Sequence, residues 1–146
     1  MSQKEQYEKL VETLEKWKKI ENASVASTSK MLEKTDHPVL RLVLETIQRD
    51  SQNHHNLQQM IIDSMTVKPM ELRPEDVSEI WDSIEEHIEL EKKTQELAKD
   101  AMDQIRENRS LATQFYMLNY LLVDEEKHQF MLDSLEKLKK DMFPYA

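Results

Sequence analysis

The 146-residue chain contains no glycine. Glycine is the residue that reaches positive φ without steric cost, so its absence works against tight hairpins and left-handed helix caps. Only four prolines interrupt the chain. Long helices joined by short polar connections are the economical solution. The missing glycines also exclude phosphate-cradling loops and dinucleotide fingerprints. There are no cysteines, which removes disulfides, thiolate metal sites and cysteine nucleophiles. The length suits a single domain, residues 1–146, with a core of its own.

Charge narrows the partners. The formal net charge is −9, and lysines and arginines lie scattered among acids rather than in a basic patch. That pattern argues against nucleic acid as a partner. No apolar run approaches the roughly 18 residues of a membrane-spanning helix, so no membrane is expected. The opening MSQKEQYEKL is charged throughout, unlike a secretory signal, and the expected location is cytoplasmic.

The apolar periodicity marks helical segments and no strands. Segment A runs over Lys4–Lys34. Thr35-Asp36-His37-Pro38 breaks it and caps segment B, Pro38–Met65, with proline in the first turn. Thr66–Arg73 is a linker. Segment C opens at Pro74 and runs to Arg106. Ser110 is the expected N-cap of segment D, which runs to Asp141 ahead of the tail MFPYA.

Each segment carries an inward stripe in steps of three and four, as bundle packing requires. In A the stripe is Tyr7, Leu10, Leu14, Trp17, Glu21, Ser24, Thr28 and Met31. In B it is Leu40, Val43, Ile47, Asp50, His54, Leu57 and Ile61. In C it includes Val77, Ile80, Ile84, His87, Glu91, Thr94, Ala98, Ala101 and Ile105. In D it is Leu118, Leu121, Glu125, His128, Leu132 and Leu135. All four stripes turn polar in the middle. In antiparallel hairpins at ~1.5 Å per residue, Glu21 and Asp50–His54 lie at matching levels roughly 20 Å from their turn, and Glu91 matches Glu125–His128 in the same way. The second half of the chain thus weakly repeats the first: an acid on one helix, an acid and a histidine on the next.

Burying several carboxylates in one layer is costly, and like charges raise one another's pKa. Two divalent cations would cancel the four charges of Glu21, Asp50, Glu91 and Glu125, with His54 and His128 completing the shells. Carboxylate and imidazole together suit iron or manganese, with zinc as a substitute. A polar layer without metal also fits, with protonated histidines paired to the acids and Ser24, Thr28, Ser51 and Thr94 supplying hydrogen bonds.

At these residues the chain resembles the ferritin-like di-iron carboxylate superfamily, in the neighbourhood of rubrerythrin. The family pattern is Glu on helix one, Glu-x-x-His on helix two, Glu on helix three and Glu-x-x-His on helix four. Glu21, His54, Glu91 and Glu125-Glu126-Lys127-His128 follow it. The departure is Ser51, which stands where the helix-two glutamate belongs; Asp50 is the nearest substitute, rotated ~100° around the helix. The resemblance implies an all-α ferritin-like four-helix bundle of long antiparallel helices with a B–C crossover linker. That crossover must span a bundle of ~40 Å, against the ~35 Å that roughly ten extended residues reach. The absence of cysteine excludes a rubredoxin-type iron centre, and no fifth helix is expected after Asp141.

The resemblance also implies two iron ions per chain and reaction with dioxygen, peroxide or ferrous ion. With Ser51 in place, a single-metal or metal-free bundle acting as an interaction protein, a homodimer through an exposed helix face, is the alternative. His87, one turn before Glu91, is either an extra ligand or a hydrogen-bond partner. Asp124, one turn before His128, is placed to orient its ring. Tyr116, Tyr120 and Trp17 lie near the polar layer, where aromatic residues serve chiefly as core.

Overall fold

The computed structural model describes residues 1–140, and the expected end of segment D at Asp141 with its tail lies outside them. The described residues are helical, with no strand among them. The order is α1 (Gln3–Leu32), α2 (Pro38–Thr66), α3 (Pro74–Ser78), α4 (Trp81–Ile105), a 3-10 turn (Arg109–Leu111) and α5 (Ala112–Lys139). No helix is long and apolar enough to cross a membrane. The chain divides into two compact units, Met1–Met70 and the residues from Glu71 onward, and each is a helical hairpin.

In the first hairpin α1 pairs with α2. Ser2 and Glu5 form a capping box that starts α1. Arg41 reaches back to cap its far end, donating to the Leu32 and Thr35 carbonyls at 3.0 and 3.1 Å. The expected break at Thr35–Pro38 is present, and His37 caps α2 by accepting from the Val39 amide at 3.2 Å. The seam between the helices is unusually polar. α1 buries Leu14, Glu21 and Thr28 at intervals of seven, and α2 buries Ser51, Gln58 and Ile62. Ser51 donates to Ser24 across the seam at 2.8 Å, and Gln48 bonds Ser29 at 2.7 Å.

That seam corrects the stripe expected on α2. Its inward face runs through Ser51 and Gln58, one residue along from Asp50, His54, Leu57 and Ile61. A step of one residue turns the helix ~100°. Leu57 and Ile61 are therefore exposed, as are Leu10 and Trp17 on α1. The apolar residues of this hairpin flank its contact rather than fill it, because hydrogen-bonding side chains hold the centre.

The second hairpin pairs α4 with α5, and α3 packs on α5. Segment C is two helices rather than one. α3 spans only Pro74–Ser78, held by Arg73 and Asp76, and Ile80, with φ −116° and ψ 10°, separates it from α4. The break rotates Trp81 into the core beside Val77 and Ile84, against Ile88, Leu132, Leu135 and Leu138. Lys139 stands over the Trp81 ring at 4.4 Å. The turn into α5 also differs from expectation. Asn108 is the cap, accepting from the Ser110 amide and hydroxyl at 3.1 and 2.7 Å, and a 3-10 turn intervenes before α5.

The Val77–Trp81–Ile84 cluster carries the apolar stability of this hairpin. Ile84→Ala is expected to cost about 2–5 kcal/mol, whereas Leu90→Ala, at an exposed position, should stay within about 0.5 kcal/mol. Urea unfolding followed by far-ultraviolet circular dichroism measures both.

Candidate metal centre

On α4, positions 84, 91 and 98 and positions 81, 88, 95 and 102 form two seven-residue series along the face toward α5. Trp81, Ile84, Ala98 and Met102 are buried there, and so is Glu91. The packing that puts Ile84 and Ala98 inside puts a carboxylate between them. Only 7% of the Glu91 side chain is exposed. On α5 the three-residue spacing of Glu125 and His128 brings both side chains to the same level, half-buried.

His128 stands between the acids. Its Nδ1 lies 3.5 Å from Glu91 Oε1 and 3.5 Å from Glu125 Oε2. Its Nε2 lies 3.6 Å from Oδ2 of Asp124, whose other oxygen pairs with Lys127 at 2.7 Å. One donor atom from each of Glu91, Glu125 and His128 falls within 4.8 Å of the others. On the other side of Glu91, His87 Nε2 is 2.9 Å from Oε1. Oε2 of Glu91 is buried and accepts from no N–H or hydroxyl.

The two carboxyl groups divide one proton between them. The hydrogen bond to Glu91, then burial, then the Glu91 charge push the Glu125 pKa up from its ordinary 4.5. The same hydrogen bond, with help from His87 and His128, pulls Glu91 down despite its burial. The two carboxyl groups titrate as a pair, Glu125 raised and Glu91 lowered. A divalent cation placed between them would neutralise both carboxylates and accept the imidazole of His128.

The first hairpin is arranged differently. Glu21 is buried on α1, and its Oε1 accepts from the Trp17 indole at 3.0 Å and faces His54 Nδ1 at 3.4 Å. His54 is largely exposed, and Asp50 is half-buried with no hydrogen bond or ion pair among the described residues. Ser51 faces Ser24, not Glu21. Among the described residues no third His, Cys, Asp or Glu joins Glu21 and His54 in a converging group. Of the six residues singled out in the sequence, the structure brings Glu91, Glu125 and His128 together in one hairpin, and Glu21 with His54 in the other. The sequence did not reveal Trp17 as the hydrogen-bond partner of Glu21. Its four-residue spacing from Glu21 was the available signal.

Compared with known proteins, the chain matches no family model, no curated protein and no solved structure.

The proton sharing has a measurable consequence in metal-free protein. Because Glu125 is raised, the folded state keeps a proton that the unfolded chain loses above pH 4.5. Its stabilising contribution is complete below that pH and is lost as pH rises through the folded pKa. Glu91 runs the other way: its contribution is present above pH 4.5 and is lost as pH falls through its lowered pKa. Glu125→Gln should therefore flatten the decline of melting temperature with rising pH above 4.5, without steepening the acid limb. An unchanged decline would assign the proton elsewhere.

Proposed function

We propose that the chain is a metal-binding helical protein whose centre is Glu91, Glu125 and His128 of the second hairpin. The observation that carries this reading is the buried Glu91, with one oxygen that accepts from no N–H or hydroxyl and with a second carboxyl group and an imidazole beside it. A carboxylate removed from water without full compensation is costly, and metal coordination is one of the few arrangements that repays it. Glu91 supplies charge from a rigid seam position. Glu125, partly exposed, gives up its proton to a binding ion. His128 offers its Nδ1 toward both carboxyl groups. Ion, carboxylate and imidazole suit ferrous iron, manganese or zinc.

The resemblance to ferritin-like di-iron proteins supports a wider form of the proposal: an all-α bundle in which a second ion is held through Glu21 and His54, with Asp50 as a further donor. When bound, iron would supply electrons to dioxygen or peroxide. The residues of this chain would hold the ions and limit access to them.

The alternative, a metal-free interaction protein, is favoured by one feature of the first hairpin. Ser51 bonds Ser24 where the family pattern has a ligating glutamate, and apolar side chains such as Leu10, Trp17, Leu57 and Ile61 are exposed. Such a surface suits a protein partner, including a second copy of this chain.

Metal content separates these readings. After anaerobic loading with ferrous ion and desalting, about one ion per chain that is lost in Glu91→Gln supports the centre in the second hairpin. About two, with one lost in Glu21→Gln, supports the di-iron form. No retained metal, with helicity and sedimentation coefficient unchanged on loading, would sink the metal reading and leave the interaction protein.

A further inference from the structure

The three-residue centre leaves one nearby donor unassigned. His87 lies one helical turn before Glu91 on α4, on the same face, and its Nε2 is already 2.9 Å from Glu91 Oε1. Its side chain is 57% exposed, and Glu91 is its sole hydrogen-bond or ion-pair partner among the described residues. A histidine so placed is free to turn, and little holds it except the carboxylate it touches.

The spacing of the donors fits one small ion. With metal–ligand bonds of about 2.0–2.2 Å, neighbouring atoms of a tetrahedral shell stand about 3.3–3.6 Å apart. The contacts from His128 Nδ1 to Glu91 Oε1 and to Glu125 Oε2 are both 3.5 Å. The His87–Glu91 contact, at 2.9 Å, is shorter by the amount that a hydrogen bond differs from a shared shell. A modest outward swing of the His87 ring converts one into the other. The second observation that this is more than a cluster of acids is Glu91 itself, more than nine-tenths buried with Oε2 unpartnered.

We infer that His87 is the fourth ligand of a one-ion site, with Glu91, Glu125 and His128, and that this site is a closed structural zinc centre clipping α4 to α5. The inference rests on the metal-binding reading above and narrows it. Four protein donors from two helices of one hairpin would fill a four-coordinate shell and leave no open position, as in structural zinc sites, whereas catalytic centres keep a position open; here carboxylate and imidazole stand in for the cysteines common in structural sites. The clip also lies where the hairpin needs it. The apolar cluster of Val77, Trp81 and Ile84 is two turns toward the start of α4, and at the level of Glu91 the seam is polar.

The test uses full-length protein, zinc competition against a chromophoric chelator, and the visible spectrum of the cobalt-substituted form. His87→Ala and His87→Gln are compared with His55→Ala, which removes a histidine outside the centre. Wild-type protein should bind one zinc, melt higher with zinc than without it, and give the intense visible bands of four-coordinate cobalt. Both His87 variants should lose affinity by more than the roughly 10–100-fold that removal of an outer-shell partner costs, and their cobalt bands should weaken and shift. His55→Ala should match wild type. Zinc bound by wild type with an unchanged cobalt spectrum in both His87 variants would overturn the fourth ligand and leave the three-residue centre standing. Wild-type protein that binds neither zinc nor cobalt would overturn both.

Discussion

A carboxylate at a seam position constrains the second hairpin more than any other single feature. Glu91 occupies the position that Ile84 and Ala98 occupy one heptad to either side. It cannot turn outward without rotating the whole packed face of α4, since the same helical phase buries Trp81, Ile84, Ala98 and Met102. Everything around it answers its charge. His87 and His128 approach one oxygen, the Glu125 carboxyl titrates together with Glu91, and Asp124 stands behind His128. The other oxygen accepts from no N–H or hydroxyl. Interiors rarely leave such a group unanswered, which is why the local geometry carries a functional reading.

The first hairpin meets the same problem with a lighter solution. Glu21 is also a seam position, flanked by Leu14 and Thr28 at seven-residue intervals. Here one indole donor and one exposed histidine suffice, and the facing helix contributes hydroxyls rather than a second carboxylate. The electrostatic conflict is smaller because no second carboxyl group faces the buried acid. The cost lies in packing: a seam of serine, glutamine and threonine buries little apolar area, and hydrogen bonds between small side chains contribute only about 1 kcal/mol each.

Stability and chemistry are separated along the second hairpin. Apolar packing concentrates where α3 and the start of α4 meet the last turns of α5, and the acid–histidine cluster follows two turns away. The break at Ile80 makes this possible by letting α3 wrap onto α5 and bringing Trp81 inward.

Much of this was legible in the sequence. A chain without glycine, with period-3.5 apolar stripes and few prolines, has little choice but long helices, and the stripes marked Glu21, Glu91, Glu125 and His128 as residues at or near the inward face. The break at Thr35–Pro38 was also readable, because proline and a capping side chain act locally. The division of segment C at Ile80, the cap at Asn108 and the inward phase of α2 were decided by tertiary structure. On α2 the serine and glutamine that hydrogen-bond across the seam displaced the more apolar neighbouring stripe, and propensity along one helix does not encode a bond to another. Nor does spacing say which acid of a pair keeps the proton. That depends on burial and on the groups packed beside each carboxyl, which exist only once α4 and α5 are side by side.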